Sequence, residues 1–178
     1  MKLDELRAQA NPAETLGVEA DTPVLVGCGL LPDELPQTDG MGTLAFSAPS
    51  LADLEQLRKT EALAGRVWPL FTVRPGADTI TVGRRPKNDV VIPDFPISAF
   101  HCFFQPYPGG MAIIDCGSKN GTSINGRKLV TGRPAWVSHR DMVTMGRFAF
   151  RYFPSLAAAL ADDNAVGSFI DLAKLAAA

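Results

Sequence analysis

Apolar positions change their spacing near residue 66 and again near residue 154, and these changes divide the chain into three parts. In the first part, Leu3, Leu6 and Ala10 recur at helical intervals and predict a short helix within residues 1–16, closed by Asn11-Pro12. Periodicity is then lost from Gly17 to Pro49, where glycine and proline are frequent. This stretch reads as an irregular connection with one strand-like burst at Pro23 to Val26. Ser50 followed by Asp53 is a capping pair, and Leu51, Leu54, Leu57 and Leu63 line one face until Gly65. The spacing predicts a helix near 51–64 whose leucines pack on the domain that follows.

After Gly65 the pattern alternates, as in strands with one buried face. Val67 to Val73 and Thr79 to Val82 flank the turn residues 74–78 and predict a hairpin. Val90 to Ile92 reads as a short buried strand, and His101 to Gln105 and Met111 to Ile114 flank a Pro-Gly-Gly turn. Ser123-Ile124 and Lys128-Leu129 enclose Asn125-Gly126-Arg127, whose Asn-Gly pair suits the positive φ angles of a tight hairpin. Val143 to Met145 and Phe148 to Tyr152 close on Gly146-Arg147, with Phe148, Phe150 and Tyr152 on one face. Many short strands separated by turns predict a mainly β chain, a β-sandwich. Beyond Pro154 the chain is alanine-rich, with one helix expected over Ser155 to Ala161 and another started by Ser168 and Asp171. The expected organisation is an N-terminal extension at 1–66, a sandwich domain at 67–153 and a helical tail at 154–178.

Charge sharpens this division. Residues 1–67 carry five Lys/Arg against eleven Asp/Glu, residues 68–153 carry eleven against five, and residues 154–178 carry one against three. A basic middle between acidic flanks points to an anionic ligand or to the chain's own acidic arm. The basic residues are scattered over strands and turns without interleaved surface aromatics, so nucleic acid is not expected. Three cysteines, Cys28, Cys102 and Cys116, are too few and too widely spaced for a disulfide framework, and no C-x-x-C pair suggests zinc. With neither a signal-peptide pattern nor a membrane-length apolar run, a cytoplasmic location is expected, with no membrane association and no cofactor.

Candidate chemistry sits in two polar stretches. The first runs from Gly83 to His101, with Arg84, Arg85 and Lys87 early and Ser98 and His101 at its end; the second runs from Asp115 to Gly126 and packs Gly117, Ser118, Lys119, Asn120, Gly121 and Thr122 together. Small polar residues with guanidinium, ammonium and amide groups on two loops are the components of an anion site. Ser98, His101 and Asp115 have the types of a hydrolase triad, but no nucleophile elbow surrounds Ser98. G-S-K-N-G-T lacks the terminal Gly-Lys-Ser/Thr of a Walker loop, so a nucleotide is not implied. Cys102 beside His101 is no thiol dyad, because strand neighbours point to opposite faces. No enzyme is expected.

Gly83-Arg84, Asn88-Asp89-Val90, Ser98-x-x-His101, Asp115-x-Gly117-Ser118-x-Asn120-Gly121-Thr122, Asn125-Gly126, and Asp141 followed by Met145-Gly146 occur in this order. The ordered set resembles the forkhead-associated (FHA) domain over residues 67–153. The resemblance implies a β-sandwich of about eleven strands, with helical extensions here at both ends, whose loops at one end bind a phosphothreonine peptide. It implies that Arg84 holds the phosphate, Ser98 hydrogen-bonds a phosphate oxygen and Asn120 binds the peptide backbone. Gly83, His101, Gly117, Gly121, Thr122, Asn125 and Gly126 are implied to shape the loops. Ala99 departs from the family, which often places a basic or polar residue after the serine; Lys119 and Arg85 are the candidates to replace that donor. Arg140 and Phe100 are further departures. The implied partners are a threonine-phosphorylated protein or the chain's own phosphorylated arm, within Ser/Thr kinase signalling. The arm offers Thr15, Thr22, Thr38, Thr43 and Thr60, of which Thr22 and Thr60 have leucine three places on. The other reading is a phosphate-independent assembly component that keeps the fold with a weakened phosphate site.

Overall fold

The computed structural model describes residues 1–30, 62–94 and 96–166. Within these residues eleven strands form two sheets. The strands are β1 (Val24–Leu30), β2 (Val67–Pro69), β3 (Ile80–Gly83), β4 (Val90–Val91), β5 (Cys102–Tyr107), β6 (Gly110–Asp115), β7 (Thr122–Ile124), β8 (Arg127–Lys128), β9 (Ala135–Val137), β10 (Met142–Met145) and β11 (Phe148–Phe153). One sheet has the order β2-β1-β11-β10-β7-β8 and the other β4-β3-β5-β6-β9. The mainly β sandwich expected from the alternation is therefore present. Its core lies where the two inner faces meet, and Phe104, Ile113, Val143, Met145, Phe148 and Phe150 are all buried there. Trp68 packs edge-on against Phe150 with ring centroids 5.3 Å apart, a favourable arrangement for aromatic quadrupoles.

Strand β11 shows why the alternation reads only half of the molecule. Phe148, Phe150 and Tyr152 face the sandwich core as expected, but Phe153 on the other face is also buried. Three short helices cover that outer face: α1 (Leu3–Arg7), α2 (Pro12–Leu16) and α3 (Leu156–Ala161). Leu3, Leu6 and Leu156 form a second apolar cluster with Val24, Val26, Val67 and Phe153. Ser155 caps α3, its hydroxyl accepting the Ala158 N–H at 3.1 Å. Pro12 does not simply close the first helix; it is the first residue of α2, where its missing N–H costs nothing.

The expected hairpin between Val67–Val73 and Thr79–Val82 is not formed. β2 pairs with β1 in one sheet, β3 pairs with β4 and β5 in the other, and residues 70–79 cross between the sheets. Turn chemistry bends the chain in either case and does not select the pairing partner. The strand-like burst at Pro23 to Val26 extends to Leu30 as β1, between β2 and β11, with a bulge at Gly27 to Gly29. The Asn-Gly hairpin forms as expected: Asn125 and Gly126 have φ of 48° and 79°, and β7 pairs with β8. Residues 51–61 of the helix expected near 51–64, and the helix expected from Ser168, lie outside the described residues. Leu63 packs against the sandwich core. Among the described residues, no helix is long and apolar enough to cross a membrane.

Candidate functional site

Strand register brings three loops to one end of the sandwich. Val82 pairs with Cys102 and Cys102 with Asp115, so the loops after β3, before β5 and after β6 emerge together. Met145 pairs with Thr122, which adds the β10–β11 turn to the same end. Residues 84–89 form a tight return, because β4 runs parallel to β3 with Val90 opposite Val82. Asp89 closes this return. Its carboxylate accepts the Thr81 N–H and hydroxyl at 2.8 Å each, the Thr72 hydroxyl at 3.0 Å and two Arg74 guanidinium bonds. Burial alone would raise the Asp89 pKa, but Arg74, Thr81 and Thr72 together hold it well below the usual carboxylate range.

His101 joins two of the loops from beneath. The ring is fully buried; Nδ1 accepts the Ser98 N–H at 3.0 Å, so Nε2 carries the proton and donates to the Gly121 carbonyl at 3.2 Å. Burial pushes its pKa down, against the pull of the Gly121 carbonyl and Asp115. Asp115 anchors the third loop. Its carboxylate accepts the Gly117 and Ser118 N–H groups, the Ser118 and Thr122 hydroxyls at 2.6 and 2.7 Å, and the Thr131 hydroxyl at 3.3 Å. Burial opposes its ionisation, yet Ser118, Thr122 and Gly117 bring its pKa down to about 2. These bonds dispose of the triad reading: both nitrogens of His101 are committed to backbone groups, and Asp115 is committed to the N–H and hydroxyl groups of residues 117–131.

Upon this frame the candidate ligand-binding residues are placed together. Arg84 donates its backbone N–H to the Ser98 carbonyl at 2.9 Å and its Nε to the Ile97 carbonyl at 3.3 Å. Its side chain is thereby held along the Ser98 loop at an exposed position. The Ser98 hydroxyl oxygen accepts the Lys119 N–H at 3.0 Å, which leaves the hydroxyl hydrogen to donate outward. Asn120 is exposed, and its amide donates to the Pro96 carbonyl at 2.8 Å. Arg84, Ser98, Lys119 and Asn120 thus meet along residues 96–98.

Arg85 goes elsewhere. With Arg74, Thr81, Lys87, Asn88, Ala99 and Phe100 it lines a separate cleft of about 290 Å³ on the opposite flank of the Ser98 loop. The loop-shaping residues have identifiable tasks. At Gly83 a side chain would lie 2.6 Å from the Ala99 carbonyl oxygen and 2.8 Å from the Asn88 amide, so only glycine fits. The Gly121 carbonyl accepts from both His101 and the Gly146 N–H. Asn125 donates to Asp141 and accepts the Met142 N–H, both at 2.8 Å, tying the Asn125-Gly126 hairpin to β10.

Asn88, to which the sequence pattern assigns no role, is a structural residue of the site. Its amide donates at 2.8 Å to both the Arg85 and Ala99 carbonyls and so fastens the Arg84 loop to the Ser98 loop. Its place beside Asp89 and Val90 in the ordered set is the signal that points to it.

The fold and this end of it define a β-sandwich with a polar, cation-bearing site built from loops. Residues 80–146 match the family model of the FHA domain, and the chain contains an FHA domain. Over 72 residues it is 40% identical to an ABC transporter ATP-binding/permease protein of Mycobacterium tuberculosis, a match covering 40% of this chain and 8% of that protein. Over 70 residues it is 38% identical to the oxoglutarate dehydrogenase inhibitor of Corynebacterium diphtheriae, covering 39% of this chain and 47% of that protein. The matches thus span less than half the length of either relative. The solution structure of the FHA domain of an Arabidopsis thaliana hypothetical protein is similar over 75% of this chain and 85% of that one, with 22% identity and a TM-score of 0.48.

Proposed function

We propose that this protein binds threonine-phosphorylated peptides at the end of the sandwich formed by Arg84, Ser98, Lys119 and Asn120, and acts in Ser/Thr kinase signalling or regulated assembly in the cytoplasm. The observation that carries this reading is the convergence of a guanidinium, a hydroxyl hydrogen and an amide on residues 96–98, held by His101 and Asp115. A phosphothreonine brings roughly −1.5 to −2 charges and three strong acceptor oxygens. Arg84 supplies the charge-assisted bonds, and Ser98 supplies a donor whose oxygen is already fixed by Lys119. Asn120, exposed beside Pro96, holds the peptide backbone next to the phosphate. Lys119 contributes both its backbone N–H and an exposed ammonium, which compensates for the donor that Ala99 lacks.

The relative named as an oxoglutarate dehydrogenase inhibitor is a regulator of a partner enzyme, and a regulatory binding role without catalysis suits this chain. The client is a threonine-phosphorylated protein, or the chain's own arm carrying phosphothreonine.

Each charge-assisted bond contributes about 1.5–3 kcal/mol net, which suits a micromolar, switchable interaction. The test is fluorescence anisotropy of a degenerate phosphothreonine peptide library against the full chain, with unphosphorylated and phosphoserine controls. Binding should require the phosphate. Arg84→Ala should lose about 2–5 kcal/mol of binding free energy while leaving the unfolding midpoint within error, because the side chain is exposed. Equal binding by the unphosphorylated library would contradict the proposal.

A further inference from the structure

A second cleft lies beside the candidate phosphate site. Residues 96–100 lie between two loops: the Lys119 N–H and Asn120 amide bond to Ser98 and Pro96 on one flank, and the Arg85 N–H and Asn88 amide bond to the Ala99 carbonyl on the other. The cleft occupies this second flank, one residue along the chain from Ser98. Consecutive residues are 3.8 Å apart across a trans peptide, so an extended peptide anchored at Ser98 reaches it within about three residues.

The cleft has a polar and an apolar part. Phe100 is 47% exposed, a large aromatic surface beside Ala99 with charged groups around it. Arg74 is neutralised by its bidentate pairing with Asp89, at 2.8 Å for the shorter contact. Arg85 and Lys87 are both exposed and form no salt bridge among the described residues. The Asn88 amide between them is already committed to the Arg85 and Ala99 carbonyls. Two cations without counter-charges therefore converge on one apolar-walled cleft, and an anionic group fits there.

From this we infer that the cleft of Arg85, Lys87, Ala99 and Phe100 is a selectivity subsite for an acidic group flanking the phosphothreonine, on the side of the peptide away from Asn120. The inference rests on the phosphothreonine reading of the main site. Carboxylate and second phosphate share the required chemistry. Ala99 acquires a role here, since its methyl group leaves open the wall that a longer side chain would fill.

The test uses the full chain and fluorescein-labelled peptides with phosphothreonine among alanines. Companion peptides carry two glutamates, a second phosphothreonine or two lysines within three residues, placed on either flank. The acidic companions should bind about three- to tenfold tighter than the alanine peptide, on one flank only. The larger of the two gains identifies the anion. In Lys87→Glu the alanine peptide should bind as to wild type, the acidic gain should vanish, and the lysine companion should become the preferred one. Equal affinity for alanine and acidic peptides in wild type, or an acidic gain that survives in Lys87→Glu, would overturn the subsite while leaving the main site standing. Failure of wild type to bind the alanine phosphopeptide would instead sink the phosphothreonine reading, and this inference with it.

Discussion

His101 holds two loops through one neutral ring, and this gives the site a pH dependence. Folded, Nδ1 must remain an acceptor for the Ser98 N–H, and burial pushes the pKa below the ordinary 6.5. Unfolded, the ring takes its proton near 6.5. The unfolded state therefore binds more protons below that pH, and stability should fall as pH drops, by up to about 1.4 kcal/mol per unit. Urea unfolding midpoints measured from pH 7.5 to 5 would show this decline; a flat profile would contradict the assigned tautomer. Asp115 adds little in this window, because its folded pKa of about 2 and the unfolded carboxylate value near 3.9 both lie below it. At this scale the sequence was informative: Gly83, Arg84, Ser98, His101 and Asn120 could be named because their spacing forms an ordered set. Arg85 was named as a replacement for the donor that Ala99 lacks, and it lines a cleft that Arg84 does not.

The Asn125-Gly126 hairpin is an element in which turn chemistry and tertiary bonding agree. Asn125 adopts φ 48° and also exchanges bonds with Asp141 and Met142. Asn125→Ala loses both the tolerance for positive φ and these two bonds, and should cost about 1–3 kcal/mol in chemical unfolding. A loss below a few tenths of a kcal/mol would show that β7 and β10 hold without it. Elements were legible where local chemistry determines them, as here and in the Ser155 cap. They were illegible where pairing is decided at a distance. Nothing in residues 74–78 distinguishes a hairpin from a crossing between sheets. In β1 the bulge at Gly27 to Gly29 interrupts the alternation, and β9 is only three residues long, between Pro134 and Ser138.

At the scale of the whole molecule, helices from both ends of the described chain cover the outer face of the six-stranded sheet. Arg7 joins them, its guanidinium donating to the Leu160 carbonyl at 3.0 Å and the Asp162 carbonyl at 2.6 Å. Leu6 is fully buried in the cluster that includes Val24, Phe153 and Leu156. Leu6→Ala should therefore lower global stability by about 2–5 kcal/mol. Local fraying of α1, with an unchanged unfolding midpoint, would contradict this coupling. The charge map adds the functional side, since the basic domain is the part that carries the loop site.

The most direct test of the central claim is a backbone-amide NMR titration of the full chain with a phosphothreonine peptide. Saturable shifts should concentrate on Arg84, Ser98, Lys119 and Asn120, be absent with the unphosphorylated peptide and be lost in Arg84→Ala. Shifts confined to another face of the sandwich, or none at saturating phosphopeptide, would contradict the claim.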